Sequence, residues 1–424
     1  MRRYDAAMQR AGVVAIMVVL AGCTAQTPAT DASASPSVTS ATSTPSPATS
    51  ERAPSATAEP SGSAGASLGP ATGWQPTATF GGEGETTEYV TEVVSWAGGY
   101  AAIGDRWDGA PAGEGLVPFD ARLWLSTDGH AWTEGPMPGG DDLTLLEIAA
   151  LPDGDLALFG VIGREAQGAG DTVVPQIQAW TSSDASSWTA VLADDGPLED
   201  PLRGRVASGP VGTVIGLSDA FHFSADLETW SDTAATFDGG IHALAAGDEG
   251  FMAIGVRTAE DRQSQVQVVM ASGNGTDWFP ATIESDVTFL EVRPFGPDWL
   301  ATTFEQNGEI GLWRSANGLD WDRVLLVNDL TPPEGPKSGK GMESEITGAS
   351  IATSATDAYL TLTWNHCCVE LPVNVGVWHS TDGATWAEAE VADSFIRAVA
   401  VGEAGTVLGG HRGRGDEAAF WLAD

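Results

Sequence analysis

Six arginines lie in short polar segments between apolar stretches of the chain. They are Arg106, Arg164, Arg257, Arg262, Arg412 and Arg414. A guanidinium presents a planar fork of N–H donors that can bind both oxygens of a carboxylate. Trp107 follows Arg106 and could stack on a sugar ring or cap the guanidinium. These residues form a candidate ligand-binding set. The alternative is that they are solvated loop charges on an acidic surface.

The sequence "HCC" places His366 beside Cys367 and Cys368. Neighbouring residues on a strand point to opposite faces, so these three side chains are poorly placed to share one metal ion. We therefore predict no metal and no cofactor, and we keep His366 as a candidate ligand-binding residue. If the third cysteine, Cys23, is lipidated, the adjacent pair could form a vicinal disulfide, with two free thiols as the alternative.

A pattern of spaced residues recurs six times along the chain. Counting from a starting residue that is usually aromatic, Ser falls at +2, Asp or Asn at +4 and Trp at +8. The copies are Ser126, Asp128 and Trp132; Ser182, Asp184 and Trp188; Ser224, Asp226 and Trp230; Ser272, Asn274 and Trp278; Ser315, Asn317 and Trp321; and Ser380, Asp382 and Trp386. Repetition in register predicts a repeat architecture.

The repeated residues predict a turn between two strands. Gly follows the Asp or Asn in four copies, and Asp-Gly or Asn-Gly suits a tight hairpin because both residues tolerate positive φ. The Asp, Asn and Ser side chains can accept hydrogen bonds from backbone N–H groups of the turn. We expect the Trp to pack between neighbouring sheets. These residues are therefore predicted to be structural and not catalytic.

This pattern resembles the Asp-box, or BNR repeat, of sialidases, sortilin-type receptors and related β-propellers. The usual form is Ser-x-Asp-x-Gly-x-Thr-Trp, whereas here the Gly follows the Asp directly and the turn is one residue shorter. The resemblance implies a β-propeller whose Asp-boxes lie on outer hairpins, on the face away from the ligand site.

Seven pairs of short apolar segments, each pair meeting at a turn, predict seven blades. Only six are followed by the repeated motif, and the seventh runs into "AAFWLAD" at the C-terminus. The segment "ATGWQPTATF" near residue 74 supplies the missing Trp, so we predict that this N-terminal strand completes the last blade. Residues 74–424 then divide into seven units of about 50 residues, which suits four-stranded blades. Six or eight blades are the alternatives.

Strand alternation places the second-to-third-strand loops, which carry the six arginines, on the face opposite the repeated turns. Closure of the ring makes the first and last blades neighbours, so Arg106, Trp107, Arg412 and Arg414 are predicted to share one pocket. A sialidase, by resemblance, needs an arginine triad, a Tyr paired with Glu, an acid/base Asp and an Arg-Ile-Pro motif. No Arg-Ile-Pro occurs, and Tyr89 alone is expected to lie away from the turn face. Hydrolysis by two carboxylates stays an alternative.

The first 22 residues combine three arginines, an apolar run and small residues, and they predict an export signal. "LAGC", which ends at Cys23, resembles the lipobox of bacterial lipoproteins and implies lipidation of that cysteine. Residues 24–73 are mostly Ala, Ser, Thr and Pro, and they predict a disordered tether. We therefore expect an exported protein anchored by lipid to the outer face of the membrane.

The chain has 19 Lys and Arg against 58 Asp and Glu, a formal charge of −39. That balance argues against nucleic acid as a partner, because nucleic-acid binding needs basic surface. We expect a monomer that binds a glycan, an acidic small molecule or a protein. The favoured function is a non-catalytic binding or scaffolding module. The alternatives are a carbohydrate-active, sialidase-like hydrolase and an extracytoplasmic assembly factor.

Overall fold

The structure is a computed structural model. It describes residues 76–81, 87–107, 120–139, 143–162, 176–193, 205–217, 220–234, 237, 240–259, 265–282, 287–305, 309–327, 330, 344–366, 374–389, 394–412 and 417–423. No helix in this part of the chain is both long and apolar enough to span a bilayer.

The described residues form seven antiparallel sheets of four strands each, and these sheets are the blades of a β-propeller. In blades 1 to 6 the four strands follow one another along the chain, from the innermost to the outermost. The seven-bladed fold predicted from the sequence is confirmed.

The strands are numbered in chain order. Blade 1 contains β2 (Thr87–Trp96), β3 (Gly99–Trp107), β4 (Asp120–Ser126) and β5 (Thr133–Glu134). Blade 2 contains β6 (Leu143–Ala150), β7 (Leu156–Ile162), β8 (Gln176–Ser182) and β9 (Thr189–Ala193). Blade 3 contains β10 (Arg205–Gly209), β11 (Gly212–Gly216), β12 (Ala220–Ser224) and β13 (Ser231–Ala234). Blade 4 contains β14 (Ile241–Gly247), β15 (Gly250–Thr258), β16 (Gln265–Ser272) and β17 (Phe279–Pro280).

Blade 5 contains β18 (Val287–Phe295), β19 (Asp298–Glu305), β20 (Ile310–Ser315) and β21 (Asp322–Leu326). Blade 6 contains β22 (Ser344–Thr353), β23 (Ala358–His366), β24 (Asn374–Ser380) and β25 (Ala387–Ala389). Blade 7 contains β26 (Ser394–Gly402), β27 (Gly405–Arg412), β28 (Glu417–Ala423) and β1 (Pro76–Gly81).

The seventh blade is built from both halves of the chain, as predicted. The N-terminal strand β1 pairs antiparallel with β28, with Thr79 opposite Ala419 and Gly81 opposite Glu417. β1 thereby covers an edge of β28 that would otherwise be open, and it closes the ring.

Each blade is sandwiched between two others, which explains why the second strands read as nearly continuous apolar runs. In β7, "LALFGVI", six of the seven residues are buried. A strand covered on both faces loses the apolar–polar alternation of a half-exposed strand. The core therefore lies between blades: Val90 and Val93 of blade 1, for example, pack with Ala398 and Phe420 of blade 7.

The repeated Ser and Asp or Asn residues hold the connection between the third and fourth strands. In blade 1 the Asp128 carboxylate accepts bonds from His130 N (2.8 Å) and Ala131 N (2.9 Å), and Ser126 Oγ accepts one from Gly129 N (2.8 Å). The indole N–H of Trp132 then donates to Gly129 O at 3.0 Å. The other five copies repeat the two carboxylate or amide bonds.

The shape of this turn differs from the tight hairpin expected from the sequence. Six residues separate β4 from β5, and positive φ occurs at Gly129 but not at Asp128. In blades 2 and 3 the same position is occupied by Ala185 (φ 53°) and Leu227 (φ 63°). The side-chain bonds hold a conformation that elsewhere favours glycine, because they satisfy the backbone N–H groups of the turn.

A side chain of each blade reaches the backbone of the next blade. The seven bonds run from Glu92 to Ile148 N, from Glu147 to Ser208 N, from Arg205 to His242 O, from Gln267 to Phe289 N, from Glu291 to Ile351 N, from Thr361 to Ile396 O and from Thr77 to Gly129 O. We call these seven contacts the inter-blade bonds. These seven point from one blade to the following one, whereas the Tyr100 hydroxyl bond to Gly405 O and the Trp188 indole bond to Pro136 O run the opposite way.

Candidate functional site at the mouth of the tunnel

The innermost strands line a tunnel along the propeller axis, and most of them carry a β-bulge near the loop face. Register shifts occur between Val90 and Glu92 in β2, between Leu145 and Glu147 in β6, and between Phe289 and Glu291 in β18. A bulge re-aims the side chain that follows it. In these three blades that side chain is a glutamate.

Each of the three glutamates binds the neighbouring inner strand. Glu92 Oε2 lies 3.0 Å from Ile148 N, and Glu291 Oε2 lies 3.0 Å from Ile351 N. These N–H groups belong to innermost strands, which have no further strand on the tunnel side to pair with. The carboxylates therefore satisfy backbone donors that the sheet leaves open.

Arg293 of β18 pairs with one of these glutamates, Glu291. Its Nε and Nη2 donate to Glu291 Oε1 at 3.0 and 2.6 Å. The charges of Glu92 and Glu147 also act on this guanidinium and, with Glu291, raise its pKa despite its burial. The Arg293 side chain is nevertheless 39% exposed and the Glu291 side chain 21%, so this ion pair is in contact with water.

Two of the tunnel carboxyl groups, those of Glu92 and Glu147, have a higher pKa than an ordinary glutamate. Burial raises the pKa of Glu92 to about 7, although the Ile148 N–H and Arg293 oppose the shift. Burial and the neighbouring Glu92 charge raise the pKa of Glu147 well above its usual value. Each carboxyl group of this pair therefore holds its proton to a higher pH than an ordinary glutamate does.

A second group of residues lies where blades 7 and 1 meet at the loop face, and we call it the mouth cluster: Tyr89, Phe395, Arg397 and His411. The Arg397 guanidinium carbon lies 4.8 Å from the centre of the Phe395 ring and 6.0 Å from that of Tyr89. Phe395 stacks on His411, with 4.9 Å between ring centres and 8° between planes. One cation thus lies among aromatic faces that attract it.

The mouth cluster contains polar atoms that no described residue satisfies. Arg397 Nε and His411 Nδ1 are buried and have no hydrogen-bond partner among the described residues. Burial and the Arg397 charge lower the pKa of His411 to about 3, so its imidazole is neutral at physiological pH. Buried polar atoms are costly unless they are bonded, and a ligand could supply the missing bonds.

Tyr89 stands beside Arg397 but is poorly suited to act as a nucleophile. Burial and the neighbouring Asp105 raise the pKa of its phenol above the usual range. Tyr100 and Tyr359 lie at the opposite end of the blades, as predicted. The Tyr100 hydroxyl donates to Gly405 O at 2.8 Å, and Tyr359 stacks on His379 at 4.7 Å.

Three of the six arginines predicted from the sequence, Arg106, Arg257 and Arg412, are among the described residues. The Arg106 side chain is 33% exposed and pairs with Glu88 of its own sheet at 3.5 Å. Arg257 and Arg412, near the ends of β15 and β27, are exposed. Arg164, Arg262, Arg414, Cys23, Cys367 and Cys368 lie outside the described residues, as do the side chains of Trp107 and His366. The pocket predicted for Arg106, Trp107, Arg412 and Arg414 therefore stays a prediction.

A feature of the sequence could have pointed to the site residues that were not predicted from it. Glu92, Glu147, Glu291 and Arg397 are charged residues inside otherwise apolar inner strands. Such residues are expensive to bury without a role. The three glutamates lie at one level of the tunnel because of bulges in their strands, and Arg397 meets its aromatic neighbours because the ring closes. Neither arrangement could be foreseen from the sequence.

A separate cavity of about 600 Å³ opens between blades 5 and 6 on the turn face. The polar groups that line it are already bonded. Arg314 donates to Asp298 and, at 2.7 Å, to Asp382 O, while Asp357 lies 2.8 Å from His379 Nε2. This cavity therefore offers a ligand fewer unsatisfied hydrogen-bonding atoms than the mouth cluster does. Among the described residues, no group of three or more His, Cys, Asp or Glu could hold a metal ion.

No protein-family model and no curated protein sequence matches this chain. Solved structures do match it. The β-propeller domain of the Trilobed protease from Pyrococcus furiosus is 11% identical, with 81% of this chain and 95% of that chain covered and a TM-score of 0.48. The acylaminoacyl peptidase of Pyrococcus horikoshii is 11% identical, with 80% and 51% covered and a TM-score of 0.46.

The sialidase of Trypanosoma rangeli, solved with the inhibitor DANA, is 10% identical, with 82% of this chain and 58% of that chain covered and a TM-score of 0.38. The chain resembles these protease and sialidase propellers only distantly, and its seven blades are shown by its own seven sheets. Such a resemblance carries no conclusion about activity, because one fold supports many functions.

Proposed function

We propose that this chain is a non-catalytic binding module that holds an acidic small molecule or glycan at the mouth of its tunnel. The proposal rests on Arg397, whose buried Nε has no hydrogen-bond partner among the described residues. A carboxylate is the ordinary partner of a guanidinium. The rings of Phe395 and Tyr89 beside it offer flat faces against which a sugar or an apolar body could pack.

The neutral His411 adds a second group for such a ligand. Its Nδ1 can donate or accept one hydrogen bond, depending on the tautomer. A hydroxyl next to a carboxylate would suit this atom, because a hydroxyl can do either. Acidic sugars carry both groups.

The acidic residues of the described chain favour binding over hydrolysis. The repeated Asp residues bind backbone N–H groups of their own turns, at the end of the blades away from the mouth. The tunnel glutamates bind neighbouring inner strands. Each of these carboxylates therefore has a structural role.

Calorimetry on the soluble chain that begins at Thr24 tests the proposal, with D-glucuronate as the acidic probe and D-glucose as its neutral match. We expect D-glucuronate to bind at one site per chain and D-glucose to bind at least tenfold more weakly. Arg397→Met should abolish the difference, while Arg412→Met, a change of an exposed arginine on the same face, should preserve it. Failure of D-glucuronate and of a wider panel of acidic sugars to bind the unmodified chain would refute the proposal.

A glycoside hydrolase is the second candidate, favoured by the neighbouring carboxyl groups of Glu92 and Glu147. A pair in which one carboxyl group keeps its proton is the arrangement that acid/base hydrolysis of glycosides uses. A panel of fluorogenic glycosides tests it. Turnover that Glu147→Gln and Glu92→Gln each reduce by a hundredfold or more would favour the hydrolase over the binding module.

We also infer that the six turns are shortened Asp-boxes and that Cys23 carries a lipid. The Ser, Asp or Asn, and Trp bonds in the turns are compatible with the first inference, and "LAGC" supports the second. Cys23→Ser should abolish metabolic labelling with a radioactive fatty acid. Labelling that persists in this variant would show that the anchor lies elsewhere.

A further inference from the structure

Glu92 and Glu147 occupy the same position in neighbouring blades. Each follows the bulge of its inner strand. Glu92 Oε2 accepts the Ile148 N–H at 3.0 Å, and Ile148 is the residue after Glu147. The carboxylate of blade 1 therefore lies against the backbone that carries the carboxylate of blade 2. Glu147 in turn accepts the N–H of Ser208 in blade 3, so the two groups hold three blades together.

The positive charge near this pair is already engaged. Arg293 acts on both glutamates but donates two hydrogen bonds to Glu291. Three carboxyl groups thus surround one guanidinium. If all three were ionised, two negative charges would remain uncompensated at a site partly shielded from water, where charges interact more strongly than in water.

The other ionisable groups on strands packed against β2 and β6 have different partners. Arg205 donates to His242 O at 3.1 Å, and Arg106 pairs with Glu88. Arg122 faces Asp120 at 3.8 Å. The remaining groups are Asp105 beside Tyr89, Arg397 and neutral His411 at the mouth, and Arg412 and Glu417, which lie opposite each other on β27 and β28. None of these partners supplies the Glu92 and Glu147 pair with a second cation.

We propose that one of the two carboxyl groups of Glu92 and Glu147 keeps its proton at neutral pH, and that blades 1, 2 and 3 separate more easily once this proton is lost. The proton removes the repulsion between the two carboxyl groups, and a protonated carboxyl group still has an oxygen that can accept a backbone N–H. Deprotonation leaves two like charges on adjacent inter-blade bonds. This proton switch needs no ligand, so it goes beyond the proposed function and does not depend on it.

The sign of the effect follows from linkage. The folded-state pKa of Glu92, about 7, exceeds the ordinary 4.5 of the unfolded chain, and the pKa of Glu147 is raised as well. The folded chain therefore keeps protons that the unfolded chain releases above about pH 4.5. The resulting stability is complete below that pH and is lost as the pH rises through neutrality.

Denaturant unfolding of the soluble chain between pH 5 and pH 9 tests the switch in wild type, Glu147→Gln and the double variant Glu92→Gln with Glu147→Gln. Glutamine has the same shape and can accept the same N–H. Between pH 5 and the folded-state pKa of about 7 we expect the wild-type unfolding constant to rise by about tenfold per pH unit for each proton involved, and to level off above it. The rise should be smaller in Glu147→Gln. In the double variant the part of the rise that comes from these two glutamates should be absent. Glu134→Gln, an exposed change in β5, should leave the wild-type slope intact.

A local measurement separates the switch from general charge repulsion. The Ile351 N–H is bonded to Glu291 at the same 3.0 Å, but that glutamate is paired with Arg293. We expect the hydrogen-exchange protection of Ile148 to fall severalfold relative to Ile351 between pH 6 and pH 8. Equal pH slopes in wild type and the double variant, or a constant protection ratio, would overturn the proposal.

Discussion

The indole of Trp132 lies flat on the ring of Phe420, with 3.8 Å between ring centres and 9° between planes. Trp132 belongs to the turn of blade 1, and Phe420 lies on β28 of blade 7. The two residues are 7% and 0% exposed. This stacked pair therefore joins the first blade to the last across the point where the ring closes.

Trp132→Ala should destabilise the propeller by about 3–5 kcal/mol, the usual cost of removing a large buried aromatic side chain. The measurement is the free energy of unfolding by denaturant. Trp188→Ala is the matched control, because Trp188 is only partly buried and its indole N–H bonds Pro136 O instead of its own turn. We expect a smaller loss for the control. Equal losses of unfolding free energy would mean that the stacking of Trp132 on Phe420 contributes no extra stability.

Removal of β1 should open the ring. A chain that starts at Gly81 loses Phe80, which contacts Trp124 and Phe420 with ring centres 5.9 and 6.2 Å apart, and it exposes the edge of β28. We expect a melting temperature lower by ten degrees or more, since several kcal/mol are lost. A chain that starts at Pro70 keeps β1 and should melt like the full protein. Equal melting temperatures for the two chains would contradict the closure.

The turn of blade 2 should make stability depend on pH in acid. Hydrogen bonds from Ser186 and Ser187 lower the pKa of Asp184 to about 2. A lowered carboxyl pKa contributes stability above about pH 4, and this contribution is lost as the pH falls toward 2. Asp184→Asn should keep the turn, because Asn274 and Asn317 hold the same place in blades 4 and 5.

Unfolding curves at pH 2.5 and pH 6 test this prediction. The difference in unfolding free energy between the two pH values should be smaller in Asp184→Asn than in the wild type. Asp184→Ala should lose stability at pH 6 as well. If the asparagine variant is as pH-sensitive as the wild type, the turn carboxylate does not control acid stability.

Arg397→Met should leave the propeller as stable as the wild type or make it slightly more stable. Burial lowers the pKa of this guanidinium, and an apolar side chain of similar length avoids the cost of burying the charge. The matched control is Arg314→Met, which removes a guanidinium bonded to Asp298 and to Asp382 O and should be destabilising. Thermal unfolding distinguishes them. A strongly destabilised Arg397→Met would mean that Arg397 holds the fold and not a ligand.

The architecture could be read from the sequence because its determinants are local and repeated. The Ser–Asp–Trp spacing and the apolar hairpins recur once per blade, and the split last blade follows from their count. The conformation of the turn was not foreseen. It depends on backbone N–H groups converging on Asp128, and these bonds allow Ala185 and Leu227 to adopt positive φ.

The mouth cluster lies on the face to which the sequence assigned the ligand site, but of its residues only Tyr89 was singled out from the sequence. The arginines predicted from the sequence lie in loops, whereas Arg397 lies in an inner strand of blade 7. It contacts Tyr89 of blade 1 only because the ring closes. Glu92 and Glu147 become neighbours because blades 1 and 2 pack side by side with their bulges at the same level. Pairings between residues more than 50 positions apart depend on bulge position and blade angle, which no local pattern encodes.

The common direction of the inter-blade bonds bears on circular permutation. Each blade offers a side chain to the blade after it and receives a bond on its backbone, so no blade is chemically the first. A chain permuted to begin at β6 and end at β5, with β1 fused to β28 by a linker, would keep every inter-blade bond. Its ring would be closed only by contacts between whole blades 1 and 2, such as Glu92 with Ile148. It should fold to the same ring but open there first, at the junction that the native chain makes continuous.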